Sequence, residues 1–392
     1  MKKFDVVIIG ADLAGLQCAK LLAESGTSVL LVDRKHDLTK GIHTTGIFVR
    51  KTLEDFDFPP GTLGKPVRNV SLYSPKLKEL RLESENDEFR VGKMGKLYKA
   101  LLRDCIDGGV EFAGGTRYGG SVTTDDRYSG CIIKLEKGGI AYKVKAKVLV
   151  GADGANSRVA WDLRLDENKE WIIGYEEVFH GVPLNGDAEL HCFLDSKIAP
   201  GYLAWITNDG EEAHIGVGGY PAKFDPREAI GKFREKIAPK FVDLSSAKLV
   251  ETRGGRIPVG GVLQRIANEH GLLIGDAAGA VSPLTAGGLD PCLRLSSIAS
   301  KIIEERLQTG DPKVLLKYSG GIFRSRFISR LWMRRLISIF TNQTVLEIGC
   351  AFLRMSAGKG LAKHVFFGRG SFPDVKNLET RMDPIEKGTV KA

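Results

Sequence analysis

The chain lacks the cysteine patterns that mark a disulfide framework or a metal site. Its six cysteines are scattered, and none stands in a CxxC pair or at metal-ligand spacing. This arrangement predicts reduced thiols in a cytoplasmic protein and no metal site. The seven histidines form no nucleophile–base or metal-binding pattern, so the sequence alone names no catalytic residue.

Long uncharged apolar runs are also missing. No run of about eighteen apolar residues occurs, so no membrane-spanning helix is predicted. Lys2-Lys3 before an apolar run imitates a signal peptide. Because Asp5 and Asp12 interrupt that run, a buried strand is the better interpretation.

Length and charge bound what remains. A chain of 392 residues with 43% hydrophobic residues predicts a globular protein of two or three structural units. A net charge of +9 suits nucleic acid, anionic lipid or an anionic substrate. The excess positive charge lies largely near the C-terminus without a recognisable nucleic-acid-binding module, so nucleic acid is not an expected partner.

The N-terminus carries the most informative pattern. An apolar run at 6–9 ends in a glycine turn, a helical pattern follows, and a second apolar run at 29–32 ends in Asp33. This order predicts a βαβ unit that binds a dinucleotide. Gly10 permits the tight turn, Gly15 lets the helix pack on the strand, and the helix N-terminus offers N–H groups to a pyrophosphate. An ordinary buried βα unit is the alternative for this stretch taken alone.

Asp12 replaces the middle glycine of this fingerprint. Its carboxylate would lie near the pyrophosphate unless it caps the helix, which Asp does readily. We therefore expect Asp12 to cap the helix and face away from the cofactor. The predicted cofactor site also includes Leu13 and Ala14 at the helix N-terminus, Asp33 as acceptor for the ribose hydroxyls, and the adjacent Arg34.

Two further glycine motifs follow predicted strands. One spans 151–158 and contains Asp153-Gly154; the other spans 275–279, with Pro283 and Gly287-Gly288 just beyond it. Each could by itself be a plain glycine turn. In this order, together with the N-terminal unit, they resemble the glutathione-reductase-type FAD proteins of the para-hydroxybenzoate hydroxylase group. The resemblance covers roughly residues 1 to 310.

The resemblance implies an α/β fold: a Rossmann-like FAD-binding domain with an inserted antiparallel-sheet substrate domain and a helical C-terminal region. The implied segments are 1–66, 91–165 and 251–310 for the FAD-binding domain, 67–90 and 166–250 for the substrate strands, and 311–392 for the helical region. It further implies that Asp153-Gly154 lies near the pyrophosphate, Asp276 on the ribityl chain, and Gly287, Gly288 and Leu289 near the flavin pyrimidine. A helix dipole there would stabilise a reduced flavin.

Within that group, the block 275–285 reads much like that of the geranylgeranyl reductases. Those enzymes carry a Tyr-x-Trp-x-Phe-Pro motif and then Gly-x-Gly. Here Trp205, Gly216 and Gly218 match, and Tyr202 lies next to the tyrosine position. These four residues are the predicted substrate-binding residues, although Trp205 could equally be a core tryptophan of the sheet.

Three departures from that family pattern stand out. Leu203 replaces the tyrosine, Thr207-Asn208 replaces Phe-Pro, and the family's cysteine is absent from the segment 43–46. They leave the substrate and the reaction open.

The function implied is FAD-dependent reduction of carbon–carbon double bonds in an isoprenoid or related lipid. NAD(P)H or a reduced carrier protein would donate the electrons. The alternatives are an FAD- and NAD(P)H-dependent aromatic hydroxylase and a non-redox, cyclase-like flavin protein. The tryptophan motif of the halogenases and the cysteine pair of the disulfide reductases are both absent from the sequence.

The segment 323–340 predicts contact with a membrane surface. Apolar residues recur there at three- and four-residue steps, with arginines between them and almost no acid. Such a basic amphipathic helix fits peripheral binding to anionic lipid. The alternative is that the apolar face covers the substrate cavity while the arginines face water. The apolar residues are Phe323, Phe327, Ile328, Leu331, Trp332, Leu336, Ile337 and Phe340, and the arginines are Arg324, Arg326, Arg330, Arg334 and Arg335.

Overall fold

The structure is a computed structural model that describes residues 1–124, 130–183, 186–324, 327–339 and 342–368, without the side chains of 223 and 336–339. The strands are β1 (Lys2–Ile9), β2 (Val29–Asp33), β3 (Ile47–Val49), β4 (Leu63–Tyr73), β5 (Glu79–Leu82), β6 (Phe89–Gly92), β7 (Glu111–Gly114), β8 (Thr116–Thr124), β9 (Gly130–Lys137), β10 (Ile140–Gly151), β11 (Trp171–His180), β12 (Ala188–Phe193), β13 (Ala204–Asn208), β14 (Glu212–Gly219), β15 (Lys248–Pro258), β16 (Ala267–Asn268) and β17 (Gly271–Leu273). The α-helices are α1 (Leu13–Glu24), α2 (Arg50–Asp55), α3 (Met94–Asp107), α4 (Arg158–Asp162), α5 (Pro226–Lys236), α6 (Leu289–Thr309), α7 (Gly320–Arg324), α8 (Ile328–Ile339), α9 (Gln343–Arg354) and α10 (Ser356–Phe367). Short 3₁₀ helices lie at Pro221–Lys223, Ala238–Lys240, Gly275–Ala278 and Pro312–Lys317.

The first sheet has the order β16-β17-β10-β1-β2-β7. Strands β17, β10, β1, β2 and β7 are parallel, and β16 is antiparallel to β17. Helix α1 connects β1 to β2, and the hairpin of β8 and β9 joins through β10. Strand β1 lies in the middle, and its residues 6–9 are buried. Burial on both faces explains why this strand is a continuous apolar run.

The second sheet has the order β15-β11-β14-β13-β12-β4-β6-β3, with β5 on β4. Neighbouring strands are antiparallel except β12 and β4, which are parallel. Helix α5 buries Phe233 against one face of this antiparallel sheet. On the other face, Trp205 and Leu190 share an apolar cluster with Leu353 of α9 and Phe366 of α10.

The predicted α/β class, with an antiparallel sheet inserted into a nucleotide-binding fold, is confirmed. The antiparallel sheet reaches further along the chain than the predicted substrate segments. Strand β4 already begins at Leu63, and β15 continues to Pro258, so the expected boundaries at 67 and 251 fall inside strands. The sequence did not predict β15, because the stretch Arg253-Gly254-Gly255-Arg256 has no alternating apolar residues. This part of the strand is held by its pairing with β11.

The C-terminal region is helical as far as residue 367, and 369–392 lie outside the described residues. Among the described helices, none is both long enough and apolar enough to cross a bilayer. All six cysteines are buried free thiols, in agreement with the reduced state predicted from their spacing.

Candidate active site

The first two glycine motifs touch each other at the carboxyl ends of β1 and β10. Gly10 has φ +104°, and a Cβ on it would lie 2.2 Å from the carbonyl oxygen of Ala152. The Ala152 amide in turn donates to the carbonyl of Ile9 at 2.8 Å. Only glycine fits at position 10, because the backbone of the second motif occupies the space of a side chain.

The third motif packs on the same helix start. A Cβ on Gly15 would lie 1.9 Å from the carbonyl oxygen of Gly10, and one on Gly275 would lie 2.9 Å from Cβ of Ala14. The Ser296 hydroxyl of α6 also donates to the carbonyl of Ala14 at 3.1 Å. Three segments that are far apart in sequence therefore meet around the N-terminus of α1, as expected.

Asp33 lies at the end of β2 with its carboxylate aimed at the glycine turn. Its oxygens accept hydrogen bonds from the amides of Ala11 and Lys35, each at 2.7 Å. A carboxylate offers about four lone-pair positions, so acceptor capacity remains for ribose hydroxyls. Arg34 beside it is exposed.

The expectation that Asp12 caps α1 through its side chain is wrong. Asp12 occupies the N-cap position, but its side chain makes no capping hydrogen bond. Its carboxylate instead accepts a hydrogen bond from Nζ of Lys35 at 2.7 Å. The reason is competition, because a lysine two residues beyond β2 offers a charged donor. The Asp12 side chain therefore does not bond to the first amides of α1, at Leu13 and Ala14.

Asp153 supports the start of α4, whose N-cap residue is Ser157. Its two oxygens accept from the Ser157 hydroxyl at 2.6 Å and from the Arg158 amide at 2.7 Å, at the start of α4. Burial raises the pKa of the Asp153 carboxyl, although these bonds oppose the shift. Gly154 has φ +85°, and a Cβ there would meet no described atom within 4 Å. The second motif thus presents open space at Gly154, and Asp153 holds its loop in place.

Asp276 belongs to the third motif and lies near the start of α6. Burial, and secondarily the charge of Asp12, raise the pKa of its carboxyl to about 6. A Cβ on Gly288 would lie 3.5 Å from its Oδ1. The side-chain amide of Asn168, which the sequence analysis missed, donates to the carbonyls of Ala155 and Asp276 at 3.1 and 2.9 Å. Asn168 therefore ties the second motif to the third.

The N-terminus of helix α6 lies close to the Asp276 carboxylate. It begins at Leu289 after Gly288, and its N-cap has no side-chain hydrogen bond. The carbonyl of Gly287 accepts from the Ser282 amide at 3.0 Å, which closes the preceding turn. A helix of 21 residues presents a positive dipole end and free amides here.

The predicted substrate residues pack in two pairs on the antiparallel sheet, each an aromatic ring over a glycine. The rings of Trp205 and Tyr202 are together called the aromatic platform. A Cβ on Gly216 would lie 2.1 Å from the Trp205 ring, and one on Gly218 would lie 2.5 Å from the Tyr202 ring. The Tyr202 hydroxyl donates to the carbonyl of Thr285 at 2.7 Å. The Gly-x-Gly pattern thus makes room for the two rings, and Tyr202 joins this platform to the turn before α6.

Comparison with known proteins identifies the family to which this chain belongs. The profile of the FAD binding domain family matches residues 3–58 and 76–330. The chain belongs to this FAD binding domain family. FAD is therefore its cofactor.

Its relatives share most of its length. A digeranylgeranylglycerophospholipid reductase of Methanosarcina acetivorans is 29% identical over 321 residues, which cover 79% of this chain and 77% of the relative. The enzyme of the same name from Methanocella arvoryzae is 26% identical over 333 residues, covering 82% and 83%. A geranylgeranyl bacteriochlorophyll reductase-like protein of Thermoplasma acidophilum has the same fold, with a TM-score of 0.81 at 18% identity over 97% of this chain and 99% of that one.

A buried carboxylate links the FAD-binding domain to the platform. Glu176 on β11 is 2% exposed and accepts hydrogen bonds from the Thr45 hydroxyl, from Nε1 of Trp205 at 3.0 Å and from Nδ1 of His214 at 3.2 Å. Arg253 contacts it at 3.4 Å. Burial opposes ionisation of Glu176, but its hydrogen bonds and the nearby positive charges hold its pKa below the usual value. Sequence reasoning missed this group, because its partners come from four separate segments.

The arginines near the C-terminus reach into the protein. Arg334 is buried between the rings of Tyr202 and Tyr220, at 5.3 and 4.9 Å from their centroids. Arg330 donates to the Ser282 hydroxyl at 3.1 Å and Arg324 to the carbonyl of Val262 at 2.8 Å. Arg334 is therefore buried, whereas Arg324 and Arg330 are partly exposed and bonded to the protein.

The apolar residues of the segment 323–340 divide between inside and outside. Phe323 and Phe327 are buried, whereas Ile328 and Trp332 are 52% and 62% exposed. Arg326, Phe340 and the side chains of Leu336 and Ile337 lie outside the described residues. The segment thus covers the FAD-binding domain with one part and faces outward with another.

Proposed function

We propose that this chain is an FAD-dependent reductase of carbon–carbon double bonds in an isoprenoid lipid. The observation that carries the proposal is the aromatic platform of Tyr202 and Trp205, which is hydrogen-bonded to the turn before α6. An apolar surface of this kind suits a polyprenyl chain better than a charged substrate. The names of the archaeal relatives support the same substrate class.

The described geometry fits the cofactor. The N-terminus of α1, at Leu13 and Ala14, would hold the pyrophosphate, Gly10 would keep the turn tight, and the open space at Gly154 would let the oxygens approach the backbone. Asp33 would accept from the ribose, and Arg34 would cover the adenosine end. Asp276 would bind the ribityl chain, and residues 287–289 would direct the dipole of α6 at the flavin pyrimidine.

The mechanism divides the work between cofactor and protein. When bound and reduced, FAD supplies a hydride to one alkene carbon, and a proton from solvent or a side chain completes the other C–H bond. The platform orients the double bond, and the apolar cluster around Trp205 excludes water. The α6 dipole stabilises negative charge on the ring. NAD(P)H or a reduced carrier protein is the proposed source of electrons.

The test is anaerobic. Protein with chemically reduced FAD is mixed with a digeranylgeranyl lipid while flavin absorbance is followed. We expect reoxidation of the flavin and a gain of two hydrogens per reduced double bond in the mass spectrum of the lipid. A flavin that stays reduced with the lipid, together with one oxygen atom gained by an added aromatic compound when oxygen is admitted, would establish the hydroxylase instead.

We also propose that the protein docks on an anionic membrane surface through α9. Val345, Ile348, Phe352 and Met355, at the end of this helix, recur at helical spacing and are 40–65% exposed. Exposed Ile328 and Trp332 of α8 add apolar surface, and Lys359 and Lys363 of α10 are exposed cations. Contiguous apolar surface with basic neighbours suits lipid, with roughly 1 kcal/mol per basic residue near anionic headgroups.

Sedimentation with liposomes tests the docking. We expect binding to anionic liposomes at low salt and weaker binding at high salt. Ile348→Glu should reduce the bound fraction severalfold. Ile140→Glu is the matched control, because Ile140 is 73% exposed on a hairpin of the FAD-binding domain. Equal loss in both variants, or none in either, would reject α9 as the docking surface.

A further inference from the structure

A cluster of potential metal ligands lies at the hairpin between β13 and β14. Asp209, Glu212 and His214 each offer one ligand atom, and these atoms all lie within 4.8 Å of one another. Asp209 and His214 are buried. The hairpin explains the convergence, because the backbone of Asp209 bonds to Glu212 across the turn and residues 212 and 214 share a face of β14.

One ring nitrogen of His214 is available to bind a metal ion. His214 is 1% exposed, and its Nδ1 lies 3.2 Å from Glu176. Its Nε2 is buried without a hydrogen-bond partner among the described residues. An Nδ1 that donates to a carboxylate leaves the Nε2 lone pair free, which is the tautomer and orientation typical of metal-binding histidines.

Two further features point to the same place. The hydroxyl of Thr207, which is paired with His214 across the strands, is also buried and has no partner among the described residues. Oδ1 of Asp209 accepts from the amides of Glu211 and Glu212 at 2.8 and 2.7 Å, which orients the carboxylate. Buried polar atoms without partners are rare and call for an explanation such as a bound ion.

We propose that Asp209, Glu212 and His214 bind one divalent transition-metal ion, with zinc as the ion of best fit. Imidazole nitrogen and carboxylate oxygen are both zinc ligands, and three protein ligands leave a fourth position for water. Two carboxylates also balance the charge of the ion. Thr207 occupies the position where the related reductases have phenylalanine, so this chain departs from their pattern at the same site. The ion would fix the hairpin whose strands carry Trp205 and Gly216.

The test uses the FAD-loaded protein after chelator treatment and desalting. Titration calorimetry with zinc chloride should show one site per chain, and zinc should raise the midpoint of thermal unfolding. Glu212→Gln, Asp209→Asn and His214→Asn should each weaken zinc binding by tenfold or more. Because Glu212 is only partly buried at a hairpin, Glu212→Gln should keep its FAD content and show that the fold is intact.

His191→Asn is the matched control. His191 lies on the neighbouring strand β12 and bonds to the hydroxyl of Tyr73, so its replacement should leave zinc affinity unchanged. Absence of stoichiometric zinc binding by the wild type would overturn the proposal. So would zinc binding that survives in all three ligand variants or is lost equally in His191→Asn.

Discussion

At the scale of single residues, Asp276 carries a conflict between solvation and function. Burial of its carboxyl and the negative charge of nearby Asp12 raise its pKa from 3.8 to about 6. The proposed ribityl hydroxyls would supply the hydrogen-bond donors that its ionised form lacks. Cofactor-free protein should therefore contain a carboxylate that opposes folding at neutral pH.

This conflict predicts a pH dependence of the FAD-free protein. The folded state binds the Asp276 proton more tightly than the unfolded chain, so the stabilisation present below pH 3.8 is lost as the pH rises through about 6. The loss amounts to at most about 3 kcal/mol. Asp276→Asn should remove this dependence and weaken FAD binding. Urea unfolding across this pH range checks the stability; parallel curves for both proteins would contradict the assignment.

The pair of Asp12 and Lys35 gives a second residue-scale prediction. Asp12→Gly should change FAD affinity little, because the carboxylate is already neutralised by Lys35. Lys35→Ala should weaken FAD by about tenfold, or 1.4 kcal/mol, since it leaves an unpaired negative charge near the pyrophosphate. The double variant should regain affinity. Fluorescence titration of FAD measures the cycle, and additive effects would mean that the two side chains act independently.

At the scale of elements, strand β14 is shaped to carry rings. Gly216→Ala would place a Cβ 2.1 Å from the Trp205 ring, and overpacking of this kind costs about 1–3 kcal/mol. We expect lower stability and lower lipid turnover, because Trp205 must move. Gly231→Ala on α5 is the control. No described atom lies within 4 Å of its added Cβ, so it should stabilise the protein by about 0.5–1 kcal/mol. If both variants lost turnover, the loss in Gly216→Ala could not be assigned to Trp205.

Much of the parallel sheet could be predicted from local pattern. The apolar runs of β1 and β2, and the glycines that separate them from helices, record constraints that act within a few residues. Gly10 and Gly15 are required by backbone contacts, so they are visible in the sequence. The hairpin of β9 and β10 was likewise visible through Gly138-Gly139, which both have positive φ.

The parts that escaped prediction depend on contacts between distant segments. Glu176 and Arg253 are 77 positions apart, and a single acid in a strand carries no mark of its partner. The helical periodicity of 323–340 indicated an apolar face but not what covers it. Arg334 looked like a surface cation, yet it lies between two tyrosine rings.

At the scale of the whole molecule, Glu176 ties the loop between β2 and β3 to the antiparallel sheet. It binds Thr45 in the loop after β2 and Trp205 on β13. Glu176→Gln should destabilise the protein by about 1–3 kcal/mol, because the buried donors of Trp205 and His214 lose a charged acceptor, whereas Arg253 keeps its pair with Glu251. FAD affinity should fall too, because the loop at Thr45 loses its anchor. Chemical unfolding and FAD titration provide the two measurements.

Glu177→Gln is the neighbouring control for that change. Glu177 points to the opposite face and pairs with Arg234, whose side chain is 37% exposed. Because Glu177 is buried, its replacement should cost about 1–3 kcal/mol, but it should leave FAD affinity unchanged. Similar losses of FAD in both variants would show that any charge change in β11 acts on the cofactor, and the role assigned to Glu176 would be withdrawn.

Because three distant segments meet around α1, the cofactor site can form only late in synthesis of the chain. Gly10 reaches the ribosome exit early, but the backbone at Gly275 and the start of α6 at Leu289 follow almost 280 residues later. At roughly 5–20 residues per second, that interval lasts on the order of tens of seconds. Strand β1 can pair with β2 long before β10 arrives on its other edge and β17 joins β10. The nascent chain must therefore keep an apolar strand edge from aggregating, and FAD can be captured only after the start of α6 has been synthesised.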